Sequence, residues 1–164
     1  MNTAAAKNLS DQVSYLAQFR QRPVSLKQLF DFGLDSSSEN LLRGARFLHK
    51  ELPVRLAHRI RELDSLPFGL SEMPSVVVVK QMYVESFRDL VELPCPETFQ
   101  DEERFTETIE NIKQRHNNVV SIMARGIQEL RQALGADELN PEIRQFLDRF
   151  YMSRVGIRML IGQH

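Results

Sequence analysis

Much of what this chain lacks bears directly on what it can do. Cys95 is its only cysteine in 164 residues, so there is no intramolecular disulfide and no cysteine-built metal site. That suits a reducing compartment. The seven glycines stand at 33, 44, 69, 126, 135, 156 and 162. None forms G-x-G, so nothing resembles a loop that cradles phosphates with its backbone. No stretch approaches the roughly 18 apolar residues that a membrane-spanning helix requires. The formal net charge is -1, which removes the electrostatic reason to expect nucleic acid or an anionic membrane as partner. His49, His58, His116 and His164 show no metal-ligand spacing, and no local motif suggests a Ser–His–Asp or Cys–His arrangement. The opening MNTAAAKNLSDQ has neither the apolar core of a secretory signal nor the Arg-rich, acid-poor pattern of a mitochondrial presequence. The expectation is a mature chain, or one whose presequence is missing.

What remains has the makings of one globular domain. Apolar residues are 42% and charged residues 26%, enough of each for a single core with a solvated surface. Helical periodicity dominates. A short helix is expected around Gln12–Arg20, with Val13, Leu16 and Phe19 on one side. Ser25-Leu26-Lys27-Gln28 reads as a capping box opening a second short helix, which Gly33 can close. Leu41, Ala45, Leu48, Leu52, Leu56, Ile60 and Leu63 recur at steps of three and four, predicting a long helix from Ser36–Glu39 to Leu63. Pro53 lies inside this stripe and should kink the helix without ending it. Leu66–Pro74 reads as a loop. Val76, Val79, Tyr83, Phe87 and Leu90 predict a second long helix, broken by Pro94-Cys95-Pro96.

Phe105, Ile109, Ile112, His116, Val120, Met123, Ile127, Leu130 and Leu134 predict one uninterrupted third helix of about eight turns, capped by Gly135. Asp101-Glu102-Glu103 is read as its solvated first turn. Pro141 opens a fourth helix whose inner stripe is Ile143, Phe146, Leu147, Phe150, Arg154, Ile157 and Ile161. The expected fold is all-α, an antiparallel four-helix bundle with short extra N-terminal helices. Residues 1–20 form an N-terminal segment with a short helix, and 21–164 the bundle.

Three of these apolar stripes carry a polar member. Tyr83 lies on the second, His116 on the third and Arg154 on the fourth, with Arg158 one turn beyond. Counting from the intervening turns puts Tyr83 and His116 within about 8 Å of the same height at 1.5 Å per residue. One reading is a small anion pocket in which Arg154, with Arg158, grips a carboxylate while His116 and Tyr83 donate hydrogen bonds. The other is internal satisfaction, with Arg154 paired to Glu85 or Asp148 and His116 an ordinary core histidine. Phosphotransfer through His116 is a third option, opposed by its place on the apolar seam. Phe30, Phe32 and Phe47, with Val24 and Leu29, either line an apolar groove or pack the core.

Five segments share their order and spacing with one family. PVSLKQLFDFG (Pro23–Gly33), FLHKELPVRLAHRI (Phe47–Ile60), YVESFRDL (Tyr83–Leu90), RHNNVV (Arg115–Val120) and FLDRFYMSRVGIRMLIGQH (Phe146–His164) resemble mitochondrial pyruvate dehydrogenase kinases. The LPFGLSEMPSV loop with RHNNVV looks most like the plant-type members. The related branched-chain 2-oxo-acid dehydrogenase kinases share ELPVR and GIRML. The resemblance implies the N-terminal regulatory half of a two-domain protein-serine kinase that inactivates the pyruvate dehydrogenase complex. ATP and magnesium belong to a C-terminal domain absent from this stretch, so the chain alone is expected to be inactive and to carry no cofactor. A homodimer would need that domain. Localisation in the mitochondrial matrix is implied.

In such kinases the bundle binds small 2-oxo-acid effectors in an internal pocket. The matching positions are Leu56, Tyr83, Ser86, Ile112, Lys113, His116, Ser153, Arg154, Ile157, Arg158 and Ile161. Lys113 replaces an arginine usual in animal members, which keeps charge but loses bidentate geometry. The bundle also docks the lipoyl domain of the dihydrolipoyl acyltransferase, and Val24, Leu29, Phe32 and Phe47 correspond to that pocket. The competing readings are a free-standing helical adaptor whose polar stripe residues only lock helix register, and a fragment of the branched-chain enzyme.

Overall fold

The computed structural model describes residues 3–135 and 140–164, with side chains described from residue 8 onward apart from that of Phe32. Among the described residues the chain is all-α, with no strand. Its elements are α1 (Thr3–Leu16), α2 (Leu26–Leu34), α3 (Ser38–Asp64), a single 3₁₀ turn at Leu70–Glu72, α4 (Pro74–Glu92), α5 (Phe99–Arg115), α6 (Val119–Leu134) and α7 (Pro141–Gln163).

Local chemistry sets most of the helix ends. Ser25 and Gln28 form the expected capping box, with both reciprocal bonds made. Ser37 caps α3, and Thr98 with Asp101 makes a second capping box at α5. Asp101 therefore holds the helix start as well as favouring the positive end of its dipole. Pro74 and Pro141 occupy first-turn positions that need no backbone donor. Gly135 closes α6 in the left-handed region, at φ 65°. Two ends differ from expectation. The first helix starts at Thr3 and stops at Leu16, which leaves Phe19 exposed. α2 runs past Gly33 to Leu34 and ends on extended Asp35, so Gly33 is not its cap.

α3 is the central element, packed on α1, α4, α5 and α7. Its predicted stripe is buried from Ala45 to Leu63, and the helix continues through Pro53. Polar contacts show how its neighbours run. Arg46 near the start of α3 donates to the Pro96 carbonyl just past the end of α4, at 2.8 Å. Lys80 near the start of α4 pairs with Asp64 at the end of α3. Glu129 late in α6 accepts from the Ser75 amide at the start of α4, at 3.1 Å.

The predicted third helix is two. α5 ends at Arg115 and α6 begins at Val119. Across the junction the Asn117 amide bonds to Gln114 O and the Val119 amide to His116 O, each three residues back instead of four. Consecutive asparagines favour this tightening, since their side chains compete with helical backbone bonds. The tighter winding over-rotates the start of α6, so its first inward residue is Val119 and not Val120. Val119 is 0% exposed and Val120 45%, the reverse of the predicted pattern. Leu134 likewise turns outward, while Met123 and Leu130 stay buried.

Candidate functional site

Tyr83 on α4 and His116 at the end of α5 meet inside the bundle, with ring centroids 4.4 Å apart. Phe150 of α7 presents its edge to Tyr83 at 5.7 Å. Ser86, one turn from Tyr83, lies 2.8 Å from His116 Nε2. Its hydroxyl donates to the Met82 carbonyl and accepts from Arg115 Nη1 at 2.9 Å. With that hydroxyl proton committed, the imidazole must be the donor to Ser86.

α7 closes the site with two arginines. Arg154 Nη2 donates to the His116 carbonyl at 2.8 Å. Arg158 Nη1 donates to Lys113 O at 3.2 Å and Nη2 to Asn117 Oδ1 at 3.1 Å. The helix break makes this docking possible: Asn117 N bonds Gln114 O, which leaves the Lys113 carbonyl for Arg158. Leu56, Ile112, Ile157 and Ile161 are all buried, and Lys113 and Ser153 are half-buried.

Burial governs the protonation of the site. It pushes the Tyr83 hydroxyl up to about 12, against the opposing pull of Arg154 and Arg59. It drives His116 down to about 4, with Arg115, Arg154 and Arg158 acting the same way. Both groups are neutral at physiological pH. Arg154 is also lowered, first by burial and then by Arg158, and it stays cationic as any guanidinium does.

Of the internal-satisfaction alternative, the Arg154 pairing with Glu85 or Asp148 is not found among the described residues, whereas His116 is a buried, internally bonded core histidine and Arg154 bonds internally to its carbonyl. Glu85 faces Arg115 at 3.8 Å, and no carboxylate among the described residues pairs with Arg154. Arg154 Nε and the Tyr83 hydroxyl are buried without a hydrogen-bond partner among the described residues. Both are donors, so what would satisfy them is an acceptor. His116 is 5% exposed and is held at Nε2, which disfavours phosphotransfer.

Sequence reasoning missed Arg59, although a spacing signal was there. Leu52, Leu56, Arg59 and Leu63 also run at steps of four, three and four, and all are buried. Burial lowers the Arg59 guanidinium, while Glu62 and Tyr83 oppose that shift.

A second group lies where α2 meets α3 and the end of α7. Val24, Leu29 and Phe47 line one apolar pocket of about 40 Å³, with Leu48, Leu160 and His164. Phe32, predicted for this group, has its side chain outside the described residues. Phe30 is exposed.

Residues 23–164 match the family described as mitochondrial branched-chain alpha-ketoacid dehydrogenase kinase. A mitochondrial [pyruvate dehydrogenase (acetyl-transferring)] kinase of Arabidopsis thaliana is 49% identical over 158 residues, covering 96% of this chain and 43% of the relative. The mitochondrial isozyme 1 of Rattus norvegicus is 38% identical over 164 residues, 98% of this chain and 37% of the relative. The mitochondrial isozyme 3 of Mus musculus is 42% identical over 156 residues, 93% of this chain and 37% of the relative. The chain thus spans less than half the length of these relatives.

Proposed function

This chain belongs to the mitochondrial pyruvate dehydrogenase kinase family, of which it is the N-terminal regulatory domain, and from that premise we propose that its bundle is an effector-binding and docking module of a kinase acting on the pyruvate dehydrogenase complex in mitochondria. The single observation carrying the effector reading is the half-buried Arg154, whose buried Nε has no partner and which pairs with no carboxylate among the described residues, beside neutral Tyr83 and His116. A planar carboxylate suits a guanidinium fork. The apolar remainder, Leu56, Ile112, Ile157 and Ile161, favours a short monocarboxylate such as a 2-oxo acid or dichloroacetate over a large polyanion.

We assign lipoyl-domain docking to the Val24, Leu29, Phe32 and Phe47 region. The apolar cleft there is lined by Val24, Leu29 and Phe47 and opens to the surface. Serine phosphorylation, with ATP and magnesium, we assign to sequence outside this stretch, because its glycines form no phosphate-binding loop.

The test is isothermal titration of the chain with dichloroacetate and pyruvate, then with a lipoylated domain. Millimolar or tighter carboxylate binding is expected, about -4 kcal/mol or stronger. Arg154→Ala should abolish it while far-ultraviolet circular dichroism stays helical. Carboxylate binding that survives this substitution would refute the pocket. Silence in both titrations would favour a free-standing adaptor.

A further inference from the structure

Just past the end of α7 stands a polar pair that neither the effector site nor the fold uses up. His164 Nε2 lies 2.9 Å from Glu102 Oε1 and 3.0 Å from Thr106 Oγ1, both on α5. The Thr106 hydroxyl itself donates to Glu102 Oε1 at 2.6 Å. The His164 side chain is 4% exposed and that of Glu102 12%. The sequence places Glu102 in a solvated first turn. It is buried instead, because the end of α7 lies against it. A carboxylate only accepts, and the Thr106 proton is already given to it, so the ring proton of His164 sits on Nε2. In the neutral ring Nδ1 is then an acceptor with an unused lone pair. Both side-chain bonds of His164 go to Nε2, and Nδ1 makes none among the described residues.

That free edge of the ring turns to the apolar cleft. A Cβ added at Gly44 would lie 3.3 Å from Nδ1 and 3.8 Å from Cε1. Gly44 and His164 both line the cleft that Val24, Leu29 and Phe47 also line. A glycine inside a helix is unfavourable, and here it keeps the space beside Nδ1 clear. Asn40 and Gln163 line the cleft as well. The Asn40 amide already donates to the Asp35 carbonyl, and Gln163 is exposed. His164 therefore brings a buried, oriented lone pair to a wall that is otherwise largely apolar.

We propose that His164, oriented by Glu102 and Thr106, is the polar recognition group of this cleft, and that its Nδ1 accepts a hydrogen bond from a donor carried on an uncharged, otherwise apolar group. This rests on the docking reading above and deepens it. On the tip of a lipoyl arm the only such donors are the S–H groups of the dithiol. The cyclic disulfide and an S-alkylated dithiol present none. Glu102 and Thr106 act through His164 and are positioning residues: a carboxylate fixes which ring nitrogen holds the proton, and so which one faces the ligand.

The experiment is titration of the full chain with a lipoylated domain in three forms: dithiol, S,S-dimethylated dithiol and cyclic disulfide. Calorimetry and the imidazole ¹⁵N resonances are read for wild type, His164→Phe and Glu102→Gln. Ligand-free wild type should show His164 protonated at Nε2 and bare at Nδ1. The dithiol form should bind about two- to tenfold more tightly than either form without an S–H, the worth of one neutral hydrogen bond. It should also move the Nδ1 resonance upfield, which the other two forms should leave in place. His164→Phe should stay helical by circular dichroism and bind all three forms alike. Glu102→Gln should let the ring proton redistribute between the two nitrogens and shrink the preference, a change that a merely structural role for Glu102 would not produce. An Nδ1 resonance indifferent to the dithiol form in wild type, or a preference that survives His164→Phe, overturns the assignment. The first of these needs no variant, so it decides the matter even if His164→Phe unfolds. If no form binds wild type, the docking reading fails and this inference with it. If all three bind wild type equally, docking stands and only the role of His164 is lost.

Discussion

His116 is the residue whose chemistry is most altered by the fold. Its ordinary value of 6.5 falls to about 4, mainly through burial. Between those values the unfolded chain binds a proton that the folded chain refuses. Stability is therefore full above about pH 6.5 and declines as pH falls toward 4, by roughly 3 kcal/mol in all. Urea unfolding at pH 7.5 and pH 5 should show the loss, and His116→Gln should flatten most of it. Tyr83→Phe removes a hydroxyl that has no hydrogen-bond partner among the described residues. Ligand-free stability should change by less than about 1 kcal/mol, while pyruvate affinity drops about tenfold, the worth of one hydrogen bond to a charged group. Tyr83, His116 and Arg154 were legible in the sequence because each interrupts an apolar stripe. Arg59 also stands at stripe spacing from Leu56 and Leu63, but beside Ile60 it reads as a flanking charge, which ordinarily reaches water.

At the scale of single elements, the junction between α5 and α6 matters most. A continuous helix would have used the Lys113 carbonyl internally and left Arg158 without it. The tightened turn at His116–Asn118 exposes that carbonyl and rotates the rest of the helix, so Val119 packs inward in place of Val120. Gly126 on the rotated face shows how close α6 then comes to α4. A Cβ there would lie 2.6 Å from Val76 Cγ2 and 3.5 Å from the Val76 backbone nitrogen. Gly126→Ala should therefore destabilise the bundle by about 1–3 kcal/mol through overpacking, despite alanine's better helix propensity. Gly162→Ala is the control. Nothing lies within 4 Å of its Cβ, so it should be neutral or gain up to about 1 kcal/mol. Thermal melts of the two variants check both signs.

At the scale of the whole molecule, the groups assigned to the proposed effector site come from α3, α4, α5 and α7, which converge on one buried core. A ligand held there is bound only by the folded chain. At one hundred times its dissociation constant it should stabilise the bundle by about 2.7 kcal/mol. Pyruvate should raise the melting temperature at fixed ionic strength where equal chloride does not, and Arg154→Ala should cancel the rise. A melting temperature that ignores pyruvate in wild type would count against binding to the folded state.

The sequence by itself determined the all-α class, the caps at Ser25, Pro141 and Gly135, and the three polar residues on inner stripes. These depend on periodicity and on neighbours within one helical turn, so they can be read locally. Only the tertiary structure decided that Glu85 is taken by Arg115 and that Arg154 pairs with no carboxylate among the described residues. It also decided that Arg59 is buried with two of its three guanidinium nitrogens unpartnered among the described residues, and that α5 and α6 separate to feed a carbonyl to Arg158. The Arg115 and Arg158 contacts are competitions among partners 26 to 45 residues apart in the chain, and their outcome depends on which helix faces approach one another.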